Sequence, residues 1–274
     1  MLKEKKLINL IRSWPDGAVF TSEWLIHVKG YSKGLLQQYH RSGWIELIGK
    51  GAYRRAQIDT SGMRLKNSTP LRWQGGVWAL QALQIRPEKN APPQILVAAR
   101  TALELSGYAH FVNLSGLETV WLFAEPSYHV PAWFKNYQWG AKIKIYSPTL
   151  FSRHLPGTIS HKDWGPFVSQ LSCPERAIME LLELCPQEES LEHAKLVMEG
   201  LATLRPQIIQ ELLESCTSIK VKRLFLALAD LCGHDWLKEI KIKGLDLGSG
   251  SRVLASNQGF HPKYKISVPR GESA

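Results

Sequence analysis

Between Ser32 and Arg55 the sequence concentrates side chains suited to nucleic acid: Ser32, Lys33, Gln37, Gln38 and Arg41, then Lys50, Tyr53, Arg54 and Arg55. Gln37 and Gln38 can each present a paired donor and acceptor to an adenine edge, and Arg41 a paired donor to guanine, if they stand on a helix that enters the major groove. Lys33, Lys50, Arg54 and Arg55 suit phosphate oxygens, which fix register and add affinity without reading sequence. Ser32, just ahead of the helix, can bring backbone N–H groups to a phosphate. Protein contact or dimerisation is the alternative use of the same surface.

Other chemistry is poorly supported. The chain has no GxxxxGK[ST] cradle, HExxH pair or GxSxG elbow. Lys243-Gly244 and Gly248-Ser249-Gly250 read as turns. His154 with His161, and His129 with His110, lack metal-ligand spacing, and Asp230, His234 and Asp235 fit a helix end and turn better than a catalytic set. Cys173, Cys185, Cys216 and Cys232 form no CxxC pair, so inert thiols are expected rather than a zinc or redox site. Trp133, Trp139, Tyr128 and Tyr137 have few basic neighbours, which favours core or subunit packing over a stacking platform for single strands. Lys220, Lys222 and Arg223 read as a solvated helix edge, with partner binding as the alternative. No catalytic residue, metal or cofactor is therefore expected.

The elements needed to position the basic residues are legible. Leu7, Ile8, Leu10 and Ile11 give Leu2 to Ser13 an apolar helical stripe, and Trp14-Pro15-Asp16-Gly17 stops it. Ala18 to Phe20 predicts a short extended segment. Thr21 then caps a short helix carrying Trp24, Leu25 and Val28, which Gly30 breaks. Ser32 caps a third helix, Lys33 to Arg41, with Leu35, Leu36 and Tyr39 inward. Ser42-Gly43 ends it, and 44–48 and 52–55 flank Gly49-Lys50-Gly51 as a hairpin with a basic tip. Two short helices about a glycine turn, followed by such a hairpin, predict a winged helix-turn-helix, whose second helix normally lies in the major groove of double-stranded DNA.

Residues 57–69 are polar and read as a linker or a connecting strand in which Met63 and Leu65 pack; Arg64, Lys66 and Arg72 extend the positive charge. The boundary is set near 70: an N-terminal domain, 1–70, and a larger one, 71–274. In the second, helices are expected at 78–85, 101–107, from Pro174, at 191–201, from Pro206 and at 218–231. Strands are expected at 94–98, 120–123 and 142–146, with short strands and turns near the end. The fold class is α+β, a winged helix-turn-helix joined to a larger mixed α+β domain.

Charge supports this division. Residues 1–72 hold 13 Lys+Arg against 5 Asp+Glu, a net of +8, whereas 73–274 hold 21 against 19, a net of +2. A localised basic excess is the electrostatic footprint of a phosphate-binding surface. With 44% hydrophobic and 21% charged residues the chain has the composition of an ordinary globular protein, not a disordered one. No apolar run approaches the roughly 20 residues of a membrane span, and MLKEKKLINLI lacks the pattern of a secretory signal. A cytoplasmic location is the default expectation.

The stretch YSKGLLQQYHRSGWIELIGKGAYRR at 31–55 resembles the N-terminal winged helix of the AbiEi family of antitoxins from type IV toxin-antitoxin systems. VAARTALELSGYAHFVNL at 97–114, CPERAIMELLELCP at 173–186 and SIKVKRLFLALAD at 218–230 resemble the family's C-terminal domain, and KYKISVP at 263–269 its closing strand. The resemblance spans nearly the whole chain, through diffuse packing and surface patterns rather than a catalytic signature. It implies a non-enzymatic bacterial repressor that binds repeats in its own promoter and counteracts a nucleotidyltransferase-like toxin, with no requirement for a stable complex. Lys33, Gln37, Gln38, Arg41, Lys50 and Arg54 fall where the family's recognition helix and wing are expected. A stand-alone regulator with a ligand-sensing or dimerising C-terminal domain is one alternative, and a nucleic-acid-processing enzyme another.

Overall fold

The computed structural model describes residues 2–57, 70–82, 93–108, 117–254 and 258–270. Met63, Arg64, Leu65, Lys66 and His110, as well as the end of the helix expected at 78–85, lie outside the described residues.

The N-terminal unit runs α1 (Leu2–Ser13), β1 (Phe20–Thr21), α2 (Ser22–His27), α3 (Lys33–Arg41), β2 (Ile45–Gly49) and β3 (Ala52–Arg55). Its strands form an antiparallel sheet in the order β1-β3-β2. Thr21 caps α2, accepting from the Trp24 N–H at 3.2 Å, and Ser32 caps α3, accepting from the Leu35 N–H at 3.3 Å. Each cap satisfies a donor that the helix start leaves open. Gly30 makes the turn between the two helices at φ +70°, a conformation that a Cβ would disfavour. Leu10, Trp14, Phe20, Leu25, Leu36, Tyr39 and Ile45 form the buried core of this unit.

The C-terminal body holds a mixed five-stranded sheet in the order β6-β5-β4-β8-β7. Its strands are β4 (Ile95–Val97), β5 (Thr119–Ala124), β6 (Lys142–Tyr146), β7 (Ile159–Asp163) and β8 (Val168–Ser172). The β4/β8 and β5/β6 pairs are parallel, and the β4/β5 and β7/β8 pairs antiparallel. The central strands β4 and β5 are almost wholly buried, as continuous apolar runs in a covered sheet should be. Helices α4 (Trp73–Ala82), α5 (Ala99–Leu105) and the short α6 (Ala132–Asn136) accompany the sheet. The helical half comprises α7 (Pro174–Leu184), α8 (Leu191–Glu199), α9 (Pro206–Ser215) and α10 (Ile219–Cys232). A hairpin of β9 (Gly259–His261) and β10 (Ile266–Val268) closes against α10. The α+β expectation thus holds for both regions.

Two buried carboxylates stitch this body together. Glu180 of α7 accepts from the N–H of Ala99 at 3.1 Å, the Ser172 hydroxyl at 2.9 Å and Arg176 Nε at 2.7 Å. It thereby anchors the residue that turns β4 into α5, which has the unusual φ of +48° for a non-glycine. Glu175 takes a bidentate grip from Arg205, at 2.8 and 2.9 Å, and the Arg205 backbone N–H at 3.0 Å.

The two regions share packing. Val19 and Ala52 of the N-terminal unit belong to the same buried cluster as Trp73, Val77 and Trp133. Trp78 of α4 reaches back to Phe20 and Trp24, with ring centroids 5.4 and 6.1 Å apart. In the first turn of α4, Gly75 lies under the Gly17 carbonyl, where an added Cβ would come within 1.9 Å of the oxygen.

Candidate nucleic-acid interface

In α3 the apolar side chains settle the direction of the polar ones. Leu36 and Tyr39 are 1% and 4% exposed and anchor the helix in its core; burying a leucine of this kind contributes about 1.5–3 kcal/mol. Lys33, Gln37, Gln38 and Arg41 are therefore turned to solvent, and all four are exposed. Lys33, Gln37 and Arg41 stand four residues apart and so line one face. The helix contains no acidic residue, and Ser32, also exposed, opens its N-terminal end, where the helix dipole favours an anion.

Sequence reasoning assigned no role to His40, which is exposed on the same helix. Its Nδ1 lies 3.2 Å from the Ile45 carbonyl. A carbonyl only accepts, so Nδ1 carries the proton of this contact. Its position three residues after Gln37 was the available signal.

The hairpin is tight. Lys50 and Gly51 form the turn, with Gly51 at φ +81°, and the Gly51 carbonyl accepts from the Ser22 N–H at 2.7 Å, tying the tip to the start of α2. Lys50 is exposed. Tyr53 is half-buried against the unit's core beside His40, their ring centroids 6.3 Å apart.

The two arginines of β3 are placed differently from Lys50. Arg54, expected among the phosphate contacts, is only 6% exposed, with its Nε 3.3 Å from the Glu46 carboxylate on the neighbouring strand. Arg55 donates to the Ile11 carbonyl at 3.3 Å and to Asp16, joining the sheet to the end of α1. Strand alternation accounts for this: Arg54 shares the buried face of β3 with Ala52. The structure therefore gathers Ser32, Lys33, Gln37, Gln38, Arg41 and Lys50 as exposed groups, while Arg54 and Arg55 engage the protein itself.

Residues 3–114 match the family described as "Transcriptional regulator, AbiEi antitoxin N-terminal domain", and residues 117–269 that described as "Transcriptional regulator, AbiEi antitoxin, Type IV TA system". The chain belongs to the AbiEi antitoxin family. Comparison with curated proteins gives no match. Among solved structures, the fold is similar to that of the RV2827C protein from Mycobacterium tuberculosis, with a TM-score of 0.51 and 13% identity, covering 95% of this chain and 88% of that one. At that identity the likeness is one of fold alone.

The other chemically suggestive groups of this AbiEi chain serve its packing. Burial pushes the Cys173 and Cys185 thiols up to about 12, and those of Cys216 and Cys232 to about 11, so all four remain protonated and poorly nucleophilic near neutrality. Among the described residues no group of His, Cys, Asp and Glu has the arrangement to hold a metal ion, and no helix is long and apolar enough to cross a membrane. Asp230, His234 and Asp235 part company: Asp230 pairs with His261 and Lys263, His234 Nε2 meets the Met198 carbonyl at 2.7 Å, and Asp235 pairs with Lys238. Trp133 and Trp139 are core residues, 6% and 4% exposed.

The basic triplet of α10 corrects the solvated-edge reading. Lys222 and Arg223 are 5% and 3% exposed. Arg223 donates to the carbonyls of Leu247, Gly250, Ser249 and Lys265 at 2.5–3.3 Å, holding the last loop onto the helix. Lys220 caps the end of α7, donating to the carbonyls of Glu183 at 2.6 Å and Cys185 at 3.0 Å.

Proposed function

We propose that the N-terminal unit is a winged helix-turn-helix that holds this antitoxin on double-stranded DNA, at repeats in its own promoter. The observation carrying the reading is the acid-free exposed face of α3, with Lys33, Gln37, Gln38 and Arg41 on one short helix and Lys50 on the adjacent hairpin. Gln37, Gln38 and Arg41 read base edges; Lys33, Lys50 and the N–H groups at Ser32 contact phosphate. The net charge of +8 in residues 1–72 supports the same assignment. Arg54 and Arg55 act by shaping the hairpin that presents Lys50.

The C-terminal body, on this reading, counteracts a nucleotidyltransferase-like toxin without catalysis of its own. The test is a growth experiment with the neighbouring gene expressed to arrest growth and the antitoxin supplied from an unrelated promoter. The full chain restores growth, and so does a folded variant carrying Gln37→Ala and Arg41→Ala, because neutralisation lies outside the DNA surface. Failure of both chains at normal soluble levels rejects the antitoxin role for that gene pair and favours a stand-alone regulator. Rescue by the DNA-binding form alone moves the mechanism onto DNA.

A further inference from the structure

Along the seam between the N-terminal unit and the C-terminal body lies a cleft of about 420 Å³, within the range of small-molecule sites, about 300–1,000 Å³. The loop after α1 contributes Trp14, β3 contributes Arg55, the start of α4 contributes Arg72 and Gln74, and the turn between β7 and β8 contributes Trp164 and Phe167. The DNA-facing residues of α3 take no part in it.

Three properties of its lining define the occupant. It favours an anion: Arg54, Arg55 and Arg72 line it against Asp16, and while Arg54 and Arg55 are engaged by Glu46 and Asp16, Arg72 is exposed with no ion pair among the described residues. The N-terminal end of α4, a helix of 10 residues, adds its positive dipole there. It favours a planar apolar body, because the half-buried Trp164 and Phe167 supply aromatic surface. Two of its lining residues also carry unpaired polar atoms. The Gln74 Oε1 and Trp164 Nε1 atoms are buried and lack hydrogen-bond partners among the described residues, whereas such atoms are ordinarily paired. One accepts and the other donates, the complement of a heterocycle with both functions on its rim. Free phosphate would leave the aromatic walls unmatched, and an uncharged ring would leave Arg72 unmatched.

We propose that this cleft binds a mononucleotide, with its base against Trp164, Phe167 and the Gln74 amide and its phosphate toward Arg72 and the start of α4. The site is separate from the DNA surface, so either assignment can fail without the other.

The full-length chain is titrated with adenosine 5′-monophosphate and guanosine 5′-monophosphate, and with adenosine and inorganic phosphate alone, by calorimetry and tryptophan fluorescence. At least one nucleotide binds saturably at a single site and quenches tryptophan emission. Arg72→Ala weakens it by about tenfold or more, as loss of a charge-assisted contact implies, and Gln74→Glu does so by setting a negative charge beside the phosphate at the start of α4, while Lys50→Ala leaves it unchanged. Gln74→Glu preserves side-chain size, and melting curves confirm that each variant is folded. The proposal is overturned if neither nucleotide saturates at millimolar concentration, if Arg72→Ala and Gln74→Glu bind as wild type does, or if adenosine or phosphate alone binds as tightly as the nucleotides.

Discussion

Gly49 of β2 lies so close to Trp133 of α6 that a Cβ on the glycine would stand 2.7 Å from the Trp133 Cβ and 3.0 Å from its Cα. The contact is with the Trp133 Cβ and backbone, whose positions rotation of a side chain cannot change. It docks the hairpin that carries Lys50 onto the C-terminal body, so one side of the hairpin is closed to any partner.

Gly49→Ala should therefore force β2 and α6 apart. Overpacking at such a contact costs about 1–3 kcal/mol, to be read as a lower urea midpoint. A wild-type midpoint for the variant would show that the two elements separate freely.

Substitutions in α3 and in the hairpin should have different signatures. Gln37→Ala or Arg41→Ala costs about 1–3 kcal/mol on the operator and little on random duplex, whereas Lys50→Ala weakens both alike and lowers the salt slope by about 1. Competition binding at fixed salt separates the two; a uniform loss for the α3 variants would reduce that helix to a phosphate contact.

Arg54→Ala belongs to neither class. It removes the Arg54–Glu46 ion pair across β2 and β3, in which Glu46 is 26% exposed. The cost should approach the low end of that for a buried pair, about 2–3 kcal/mol of stability. Chemical denaturation checks this: unchanged stability with weakened binding to all DNA would return Arg54 to the phosphate contacts.

Acid should destabilise the C-terminal body through Glu175. Burial works against its charged form, but the Arg205 hydrogen bonds prevail and hold the carboxyl down at about 2. A carboxyl depressed on folding stabilises fully above its unfolded value, and that contribution is lost as pH falls from the ordinary carboxylate range toward 2. Urea midpoints between about pH 6 and pH 2.5 should fall more steeply for the wild type than for Glu175→Gln. Parallel slopes would exclude this pair as a source of acid sensitivity.

The cysteines should resist modification. At about pH 8 a thiol-specific disulfide reagent needs thiolate, and burial holds all four thiols far above that range. Half-buried Cys232 should react first, with Cys173, Cys185 and Cys216 following only on unfolding. Stopped-flow modification of the native chain tests this order, and rapid labelling of Cys173 would contradict it.

What could be read from the chain was what neighbouring residues settle among themselves. Thr21 and Ser32 cap the helices they precede, Pro174 and Pro206 open α7 and α9, and the glycines around Lys50 close a hairpin. Leu36 and Tyr39, one helical turn apart, oriented the polar face of α3 without any distant contact. Caps, breakers and periodicity act within a few residues, so the sequence is sufficient for them.

Tertiary structure decided what depends on partners remote in the chain. β7 and β8, with the mixed sequences ISHKD and VSQLS, are strands because they pair with each other and because β8 joins β4, Val97 opposite Leu171. Arg54 turned inward because Ala52 and Arg54 occupy the buried side of β3, and Arg223 because three carbonyls of the 247–250 loop and that of Lys265 before β10 surround it. A charged side chain written in a sequence carries no mark of whether a partner will come to meet it. Burial is tolerable only where such partners arrive, and their arrival is set by the packing of the whole chain.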